Sequence, residues 1–205
     1  MLYGNKQVNA AICHDHLQYQ IKVTTEIASG IGVHVQGIPD ERVREVLLRV
    51  LASLQSIGYA VPADKIKITV EYFRDEWDSS QLDLPIAVSI YALQHDILLD
   101  TDGVFLCGEL ALNGDLRDLG DGMRLSDFAA RLGKKVFLPK VQYLRKISYC
   151  SNLSLHQDNV IPVNNLRDVI NHLDQFLIQK PMSDIKKAAR HILAYIKKEI
   201  AEQTR

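Results

Sequence analysis

The sequence has few cysteines, and they lie far apart. Cys13, Cys107 and Cys150 are the three cysteines among 205 residues. An odd number of cysteines at wide spacing does not fit the disulfide frameworks that stabilise small secreted domains. The thiols are therefore expected to be reduced, as in a cytoplasmic protein.

Long apolar runs and an excess of charge of one sign are also missing. No window approaches about 18 uninterrupted apolar residues, so no membrane span is predicted. Met1–Asn9 carries polar residues and no apolar core, so no signal peptide is predicted. Because the formal net charge is −1, no global field attracts nucleic acid or anionic lipid, and such binding would need a local patch.

Two ligand-binding motifs are absent as well. The Walker pattern requires Gly-Lys followed by Ser or Thr, whereas Gly133-Lys134 is followed by Lys135. The CHDH stretch, Cys13–His16, offers thiol and imidazole ligands, but no second Cys/His pair lies at a zinc-finger distance. A polar hairpin loop is the preferred interpretation of this stretch. The sequence predicts no metal, no cofactor and no ATP hydrolysis.

The most distinctive segment is Asp78–Leu93, DSSQLDLPIAVSIYAL, which predicts a turn followed by a helix. Its second half is apolar except for Ser89, and a helix that is apolar on all sides is typical of a protein core. Asp83 is predicted to be the N-cap, with its carboxylate accepting from a free N–H of the first turn. A polar turn with free N–H groups also suits an anion or oxyanion site, although the capped core helix is the preferred interpretation.

A second helix is predicted after Asp40, its proposed N-cap, and before Gly58, its proposed C-terminal glycine. Its apolar positions recur at helical spacing: Val43, Val46, Leu47, Val50, Leu51 and Leu54. Charged residues are assigned to the outer face: Glu41, Arg42, Arg44, Glu45 and Arg49. The arginines form either a ridge that contacts phosphate or a solvated, salt-bridged face, and the two glutamates favour the second interpretation.

Strands and helices alternate along the rest of the chain. Alternating or short apolar runs predict the strands: Lys6–Ile12, Tyr19–Ile27, Val33–Val35, Lys65–Phe73, Val104–Cys107, Val136–Leu138 and Val160–Val163. Further helices are predicted at Met123–Leu132, Val141–Ile147 and Leu166–Phe176, the last capped by Asn165, and Asn113-Gly114 predicts a hairpin. The expected fold class is therefore α/β (α+β), a mixed sheet packed with helices.

The end of the sequence predicts a separate amphipathic helix. Ser183 is its proposed cap, and the helix runs from Asp184 to about Glu202. Its basic face contains Lys186, Lys187, Arg190, Lys197 and Lys198. Docking on the domain is the preferred role; oligomerisation and nucleic-acid contact are the alternatives. The expected division is a domain at 1–178 and a helical extension at 179–205.

Several of these segments together resemble a known family. LDLPIAVSI and GELALNGDLR, with the GIPDERVREVLLRVLASLQSIGY, KIKITV, KKVFLPK and VIPVNNLRDVINHL segments, are similar to the amino-terminal domain of magnesium-chelatase-like proteins of the ComM type. The similarity extends over residues 1–175. It implies the ribosomal protein S5 domain 2-like fold, which is shared with the proteolytic domain of Lon protease and the carboxy-terminal domain of RadA. ComM-type proteins carry an ATPase module after this domain, and none is expected here.

The resemblance also suggests a test for peptidase activity. In Lon-like proteases, a serine at the start of the central helix is the nucleophile, and a lysine early in the following helix is its base. The serine position corresponds to Asp83, and the lysine position to Met123, beside Arg124. A capped carboxylate is a poor nucleophile toward peptides. Neither methionine, which has no basic group, nor arginine, which stays charged, can accept the proton of a nucleophile. These three are therefore expected to be degenerate active-site positions.

The sequence thus predicts a protein that is not an enzyme. The expected function is a stand-alone, Lon-like assembly or interaction module, with a role in DNA processing suggested by the RadA and ComM relatives. A homo-oligomer or a protein partner, such as an ATPase acting in trans, is expected. The first alternative is direct nucleic-acid binding through the basic helix faces named above; the second is a degenerate peptidase that uses Ser79 or Ser80.

Overall fold

The computed structural model describes residues 5–60, 65–140 and 159–177. In chain order, the strands are β1 (Lys6–His14), β2 (Leu17–Ala28), β3 (Val33–Gln36), β4 (Lys65–Glu71), β5 (Val104–Phe105), β6 (Lys135–Pro139) and β7 (Val160–Val163). The α-helices are α1 (Asp40–Ser56), α2 (Asp83–Gln94), α3 (Gly122–Arg131) and α4 (Leu166–His172). Short 3-10 helices precede α2 at Ser79–Leu82 and follow α4 at Leu173–Phe176. The fold class is mixed α/β, as the sequence predicts.

The strands form two sheets that meet at β1. The first sheet has the order β1-β2-β4-β3, with antiparallel pairs except for β3 and β4, which are parallel and connected through α1. The second sheet, β5-β6-β7, is parallel. A parallel bridge between Ala10 and Leu106 joins the two. The middle of β1 therefore lies where the two sheets come together.

Helix α2 is the centre of the core. Ten of its twelve residues are buried, and the helix packs on β1, β2 and α1. Its one interior polar residue, Ser89, has no exposed surface, and its Oγ lies 2.6 Å from Thr25 Oγ1 while donating to the Ile86 carbonyl at 2.9 Å. The prediction of a buried central helix is confirmed.

The amphipathic pattern of α1 is confirmed on its apolar side. Val46, Val50 and Leu54 are buried, and the other predicted apolar positions pack against the same cluster. Gly58 ends the helix with φ of +94°, as a C-terminal glycine should. The predicted cap is wrong, however, because the helix begins at Asp40 itself and Pro39 is the N-cap residue.

Two turns differ from the sequence-based expectation. Cys13 and His14 belong to β1, and the connection to β2 is only Asp15 and His16, with φ of +46° and +68°. A two-residue turn with both φ values positive matches the twist of a hairpin, so the predicted hairpin is confirmed, although its loop is shorter than Cys13–His16. Strand β4 ends at Glu71 because Tyr72 adopts φ of +67° and leaves the extended conformation.

Later predictions are confirmed where residues are described. The Asn165 side chain accepts from the Asp168 N–H at 2.9 Å and caps α4. The hairpin at Asn113-Gly114 closes through a bridge between Leu110 and Leu116. The predicted helix at 141–147 and the extension at 179–205 lie outside the described residues. Within the described part of the chain, no helix is long and apolar enough to cross a membrane.

Candidate functional site

The candidate site is the turn that leads into α2. Asp78 caps this turn: its carboxylate accepts from the Ser80 N–H and the Ser80 hydroxyl, each at 2.9 Å. The 3-10 helix then runs directly into α2, whose first residue is Asp83. The predicted N-cap role of Asp83 is wrong, because Leu82 is the N-cap residue and the Asp83 carboxylate bonds to Arg49 and the Leu110 N–H. The capping chemistry predicted for Asp83 belongs to Asp78, five residues earlier.

Asp83 forms a buried ion pair instead. Its side chain has no exposed surface, and its Oδ2 and Oδ1 accept from Arg49 Nε at 2.5 Å and an Arg49 terminal nitrogen at 3.1 Å. A third hydrogen bond comes from the Leu110 N–H to Oδ2 at 3.1 Å. A two-pronged contact between guanidinium and carboxylate is the strongest arrangement for such a pair. Asp83 therefore connects α1, α2 and the 110–116 hairpin.

The sequence predicts Arg49 on the outer face of α1, and this placement is wrong. The Arg49 side chain is 17% exposed and reaches inward to Asp83. One turn later on the same face, Ser53 is buried, and its Oγ lies 2.7 Å from the Arg49 carbonyl and 2.8 Å from the Ala111 carbonyl, to which it can donate its one proton. Arg49 and Ser53 thus share a face of α1 that is turned toward the core.

The electrostatics of the pair are set mainly by burial. Desolvation raises the pKa of Asp83 to about 7, although the hydrogen bonds and charge of Arg49 act in the opposite direction. Burial lowers the pKa of Arg49 and its contacts with Asp83 raise it, for a net rise. Since Arg49 keeps some contact with water and Asp83 has none, Asp83 bears most of the desolvation cost.

Backbone groups at the start of α2 are also hydrogen-bonded within the protein. The Leu84 N–H donates to the Gly108 carbonyl at 3.0 Å, and the Gly108 N–H donates to the Gln81 carbonyl at 3.0 Å. An oxyanion site needs N–H groups that point to free space. The Leu84 N–H is already bound to protein, so it does not provide one.

Gln81 makes a contact that sequence reasoning missed. Its side-chain oxygen accepts from the Cys13 N–H at 2.8 Å, and its side-chain nitrogen donates to the Cys13 carbonyl at 2.9 Å. The amide group thus continues the hydrogen bonding of β1 and fixes the turn against that strand. No local pattern indicates such a contact, because the two residues are 68 positions apart.

The expected degenerate base positions lie on α3, and the two serines of the peptidase alternative lie in the 3-10 helix before α2. Met123 and Arg124 lie in the first turn of α3 with side chains that are 39% and 45% exposed, and Arg124 pairs with Asp121 at 2.6 Å. Ser80 binds Asp78, while Ser79 is buried. The assignment of Asp83, Met123 and Arg124 as degenerate positions stays a prediction.

The buried thiols are poor nucleophiles. Burial raises the pKa of the Cys107 thiol to about 12 and also raises the pKa of Cys13, with a further rise from Asp121. Both cysteines are free. Because the thiolate is the reactive form, neither is activated at neutral pH. Among the described residues, no group of three metal-ligating side chains is found.

The basic residues proposed for nucleic-acid binding are differently placed. Arg44 is exposed on α1, Arg42 is half-buried and donates to the Trp77 carbonyl, and Arg49 is neutralised by Asp83. The remaining candidates lie outside the described residues: Lys186, Lys187, Arg190, Lys197 and Lys198. Of the α1 arginines, Arg44 is therefore the best placed to meet a phosphate.

Comparison with known proteins gives one family. Residues 23–142, more than half of the chain, match the family model described as subunit ChlI of Mg-chelatase. The uncharacterized protein YifB of Escherichia coli is 31% identical over 122 residues, and YifB of Salmonella typhimurium is 30% identical over 120 residues. Each match covers 58% of this chain and 24% of the relative. The chain thus spans about a quarter of the length of these curated relatives.

Proposed function

Because the chain belongs to the family of subunit ChlI of Mg-chelatase, we propose that it is a non-catalytic assembly or interaction module of the ComM type. The single observation that carries this proposal is the buried pair between Asp83 and Arg49. The pair lies at the start of α2, the position that the family resemblance assigns to the nucleophile of Lon-like proteases. A carboxylate with no exposed surface cannot attack a substrate, whereas it can hold three elements in a fixed arrangement.

The described topology supports the Lon-like, ribosomal protein S5 domain 2-like fold as part of this proposal. A parallel β3-α1-β4 unit sits beside an antiparallel β1-β2 hairpin, and a buried α2 packs on them. The chelation of magnesium belongs to the description of the family and is not part of the function proposed for this chain. Buried, free thiols at Cys13 and Cys107 are compatible with a cytoplasmic location.

Self-association or a protein partner, such as an ATPase in trans, would use surfaces that the described fold leaves open. Strand β3 is at the edge of its sheet and pairs with β4 alone within the described residues. Exposed sheet edges pair readily with another chain. Leu48 on α1 and Leu112 in the hairpin add large apolar side chains that are 61% and 54% exposed.

A second candidate is direct nucleic-acid binding through a basic helix face. Its support in the described residues is the exposed guanidinium of Arg44. Neutralisation of Arg49 by Asp83 and the nearby Glu41 and Glu45 weaken it, since phosphate binding needs uncompensated cations. We therefore place the assembly function first.

An assay of peptide hydrolysis distinguishes a non-catalytic assembly module from a degenerate peptidase. We expect the full chain to release no peptides from fluorescein-labelled casein, because Asp83 is committed to Arg49 and Ser80 to Asp78. The matched variant is a double change, Ser79→Ala with Ser80→Ala, which leaves the Asp78 bond to the Ser80 N–H in place. Both proteins should match the buffer blank. Hydrolysis by the unmodified chain that the double change abolishes would overturn the non-catalytic assignment.

A further inference from the structure

The last described residue, Leu177, lies beside a cleft that is separate from the candidate site. This cleft has a volume of about 390 Å³ and lies between the start of β1, β2 and the segment that follows α2. Leu177 forms an antiparallel bridge with Leu99, and the Asp100 N–H donates to the Phe176 carbonyl at 2.7 Å. Leu99 and Asp100 both line the cleft. Residues 178–205 therefore start at its rim.

The rim next to Leu177 is apolar. Ile97, Leu98 and Leu99 line the cleft and are each half-buried, and the Leu177 side chain is 40% exposed. We call these four residues the exit patch. Ala92, which is buried on α2, continues the apolar surface into the cleft. A segment that starts at the patch can cover it with little loss of entropy on loop closure, because the connection is short.

The sequence that follows the exit patch predicts a helix with a matching apolar stripe. The linker to the proposed cap, residues 178–183, spans at most about 20 Å when extended. At about 100° per residue, apolar side chains fall on one face of the helix: Ile185, Ala188, Ala189, Ile192, Leu193, Tyr195, Ile196 and Ile200. Such a stripe is stable when it is buried against another apolar surface, and the exit patch is within reach of the linker.

Charge favours the same arrangement. Asp100 and Asp102 follow the exit patch in the chain, line the cleft and are exposed. Of the two lysines in the lining, Lys6 is 4% exposed and takes part in an ion pair, and Lys22 is half-buried. The accessible charge of the rim is therefore mainly negative. Lys186 stands at the edge of the apolar stripe, so its long side chain can reach a carboxylate while the stripe packs.

We propose that residues 184–202 of this chain dock on the exit patch through their apolar stripe, with Lys186 beside Asp100 and Asp102. Docking by this face covers one side of the cleft and turns the basic face of the helix toward solvent. The ion pair fixes the position of the helix more than its affinity, since exposed pairs contribute little. This contact lies within one chain, so it does not depend on the proposed assembly function.

Zero-length crosslinking of the full chain with a carbodiimide, followed by mass spectrometry of the monomer band, tests this contact. We expect an amide bond between Lys186 and Asp100 or Asp102. Its yield should be comparable to that of the bond between Lys67 and Glu26, a partly exposed pair 3.3 Å apart in the sheet. A monomer band in which Lys186 is joined to neither aspartate would overturn the proposal.

The same spectra identify the other possible occupants of the patch. Bonds from the two aspartates to the Met1 amino group, in place of Lys186, would show that residues 1–4 cover it. Bonds to Lys186 found only in the dimer band would show that a second copy covers it. Either result would overturn docking within one chain.

Two variants of the segment distinguish docking from chance collisions of a tethered chain. Ile192→Asp places a charge within the apolar stripe and should lower the yield of the Lys186 bond at least about threefold, because it replaces a buried apolar side chain with a charged one. Ala194→Asp is the matched control, since it adds the same charge on the opposite face of the helix, and it should leave the yield unchanged. Equal yields from the two variants would contradict docking through the stripe.

Discussion

Replacement of Arg49 by methionine should lower the free energy of unfolding by about 3 kcal/mol at pH 8. Removal of one partner from a buried pair leaves an uncompensated charge, which costs roughly 3–5 kcal/mol. We place the effect near the lower end because protonation of Asp83, whose pKa is already raised to about 7, limits the cost. At pH 5, where Asp83 is largely neutral, the same change should cost less than half as much.

Urea unfolding of both proteins, followed by circular dichroism at the two pH values, measures this difference. Arg44→Met is the matched control, because Arg44 is an exposed arginine on the same helix. Exposed substitutions of this kind usually change stability by no more than about 0.5 kcal/mol. If Arg49→Met costs no more than Arg44→Met at pH 8, the pair with Asp83 does not hold the fold together.

Asp83 should also make the protein less stable as the pH rises. Its pKa is about 7 in the folded chain, against an ordinary aspartate value of 3.8, so the folded state binds a proton over this interval and the unfolded state does not. The stability from this group is fully present below about pH 4 and is lost as the pH rises through 7. Relative to Asp83→Asn, which stays neutral, the unmodified chain should lose roughly 2–3 kcal/mol between pH 5 and pH 8.

The sign of this dependence distinguishes the two interpretations of Asp83. A capping carboxylate has a lowered pKa, because N–H donors and the helix dipole favour its charged form. Its contribution to stability would then be gained, and not lost, as the pH rises. Taking the difference between the unmodified chain and Asp83→Asn removes the titration of other groups. A difference that favours the unmodified chain more at pH 8 than at pH 5 would restore the capping interpretation.

Local patterns are sufficient to predict much of the fold. The alternation in β4, the apolar stripe of α1 and the cap at Asn165 each depend on residues within one or two turns of one another. Because such patterns depend on residues that are close together in the chain, they can be recognised directly in the sequence. The segments around Asp83 and Gly108 also resemble a known family, which local patterns alone do not identify. The match of residues 23–142 to the family model confirms this resemblance.

The contacts of the candidate site cannot be predicted from local sequence patterns. Asp83 meets Arg49 across 34 residues, and Gln81 meets Cys13 across 68 residues. Asp83 also has a local role available, since a carboxylate beside a helix start is a good cap. The tertiary pair displaces that role because Asp78 already caps the preceding turn, leaving the Asp83 side chain to enter the core.

The central functional claim, that the chain is an assembly module, is most directly tested by sedimentation velocity. The full chain would be studied from micromolar to millimolar concentration, alone and with a labelled single-stranded oligonucleotide at low and high salt. We expect the sedimentation coefficient of the protein alone to rise with concentration, and the oligonucleotide to leave it unchanged. A single monomeric species at every concentration, with oligonucleotide binding that weakens steeply with salt and is reduced by Arg44→Glu but not by Lys135→Glu, would contradict the assembly function in favour of nucleic-acid binding.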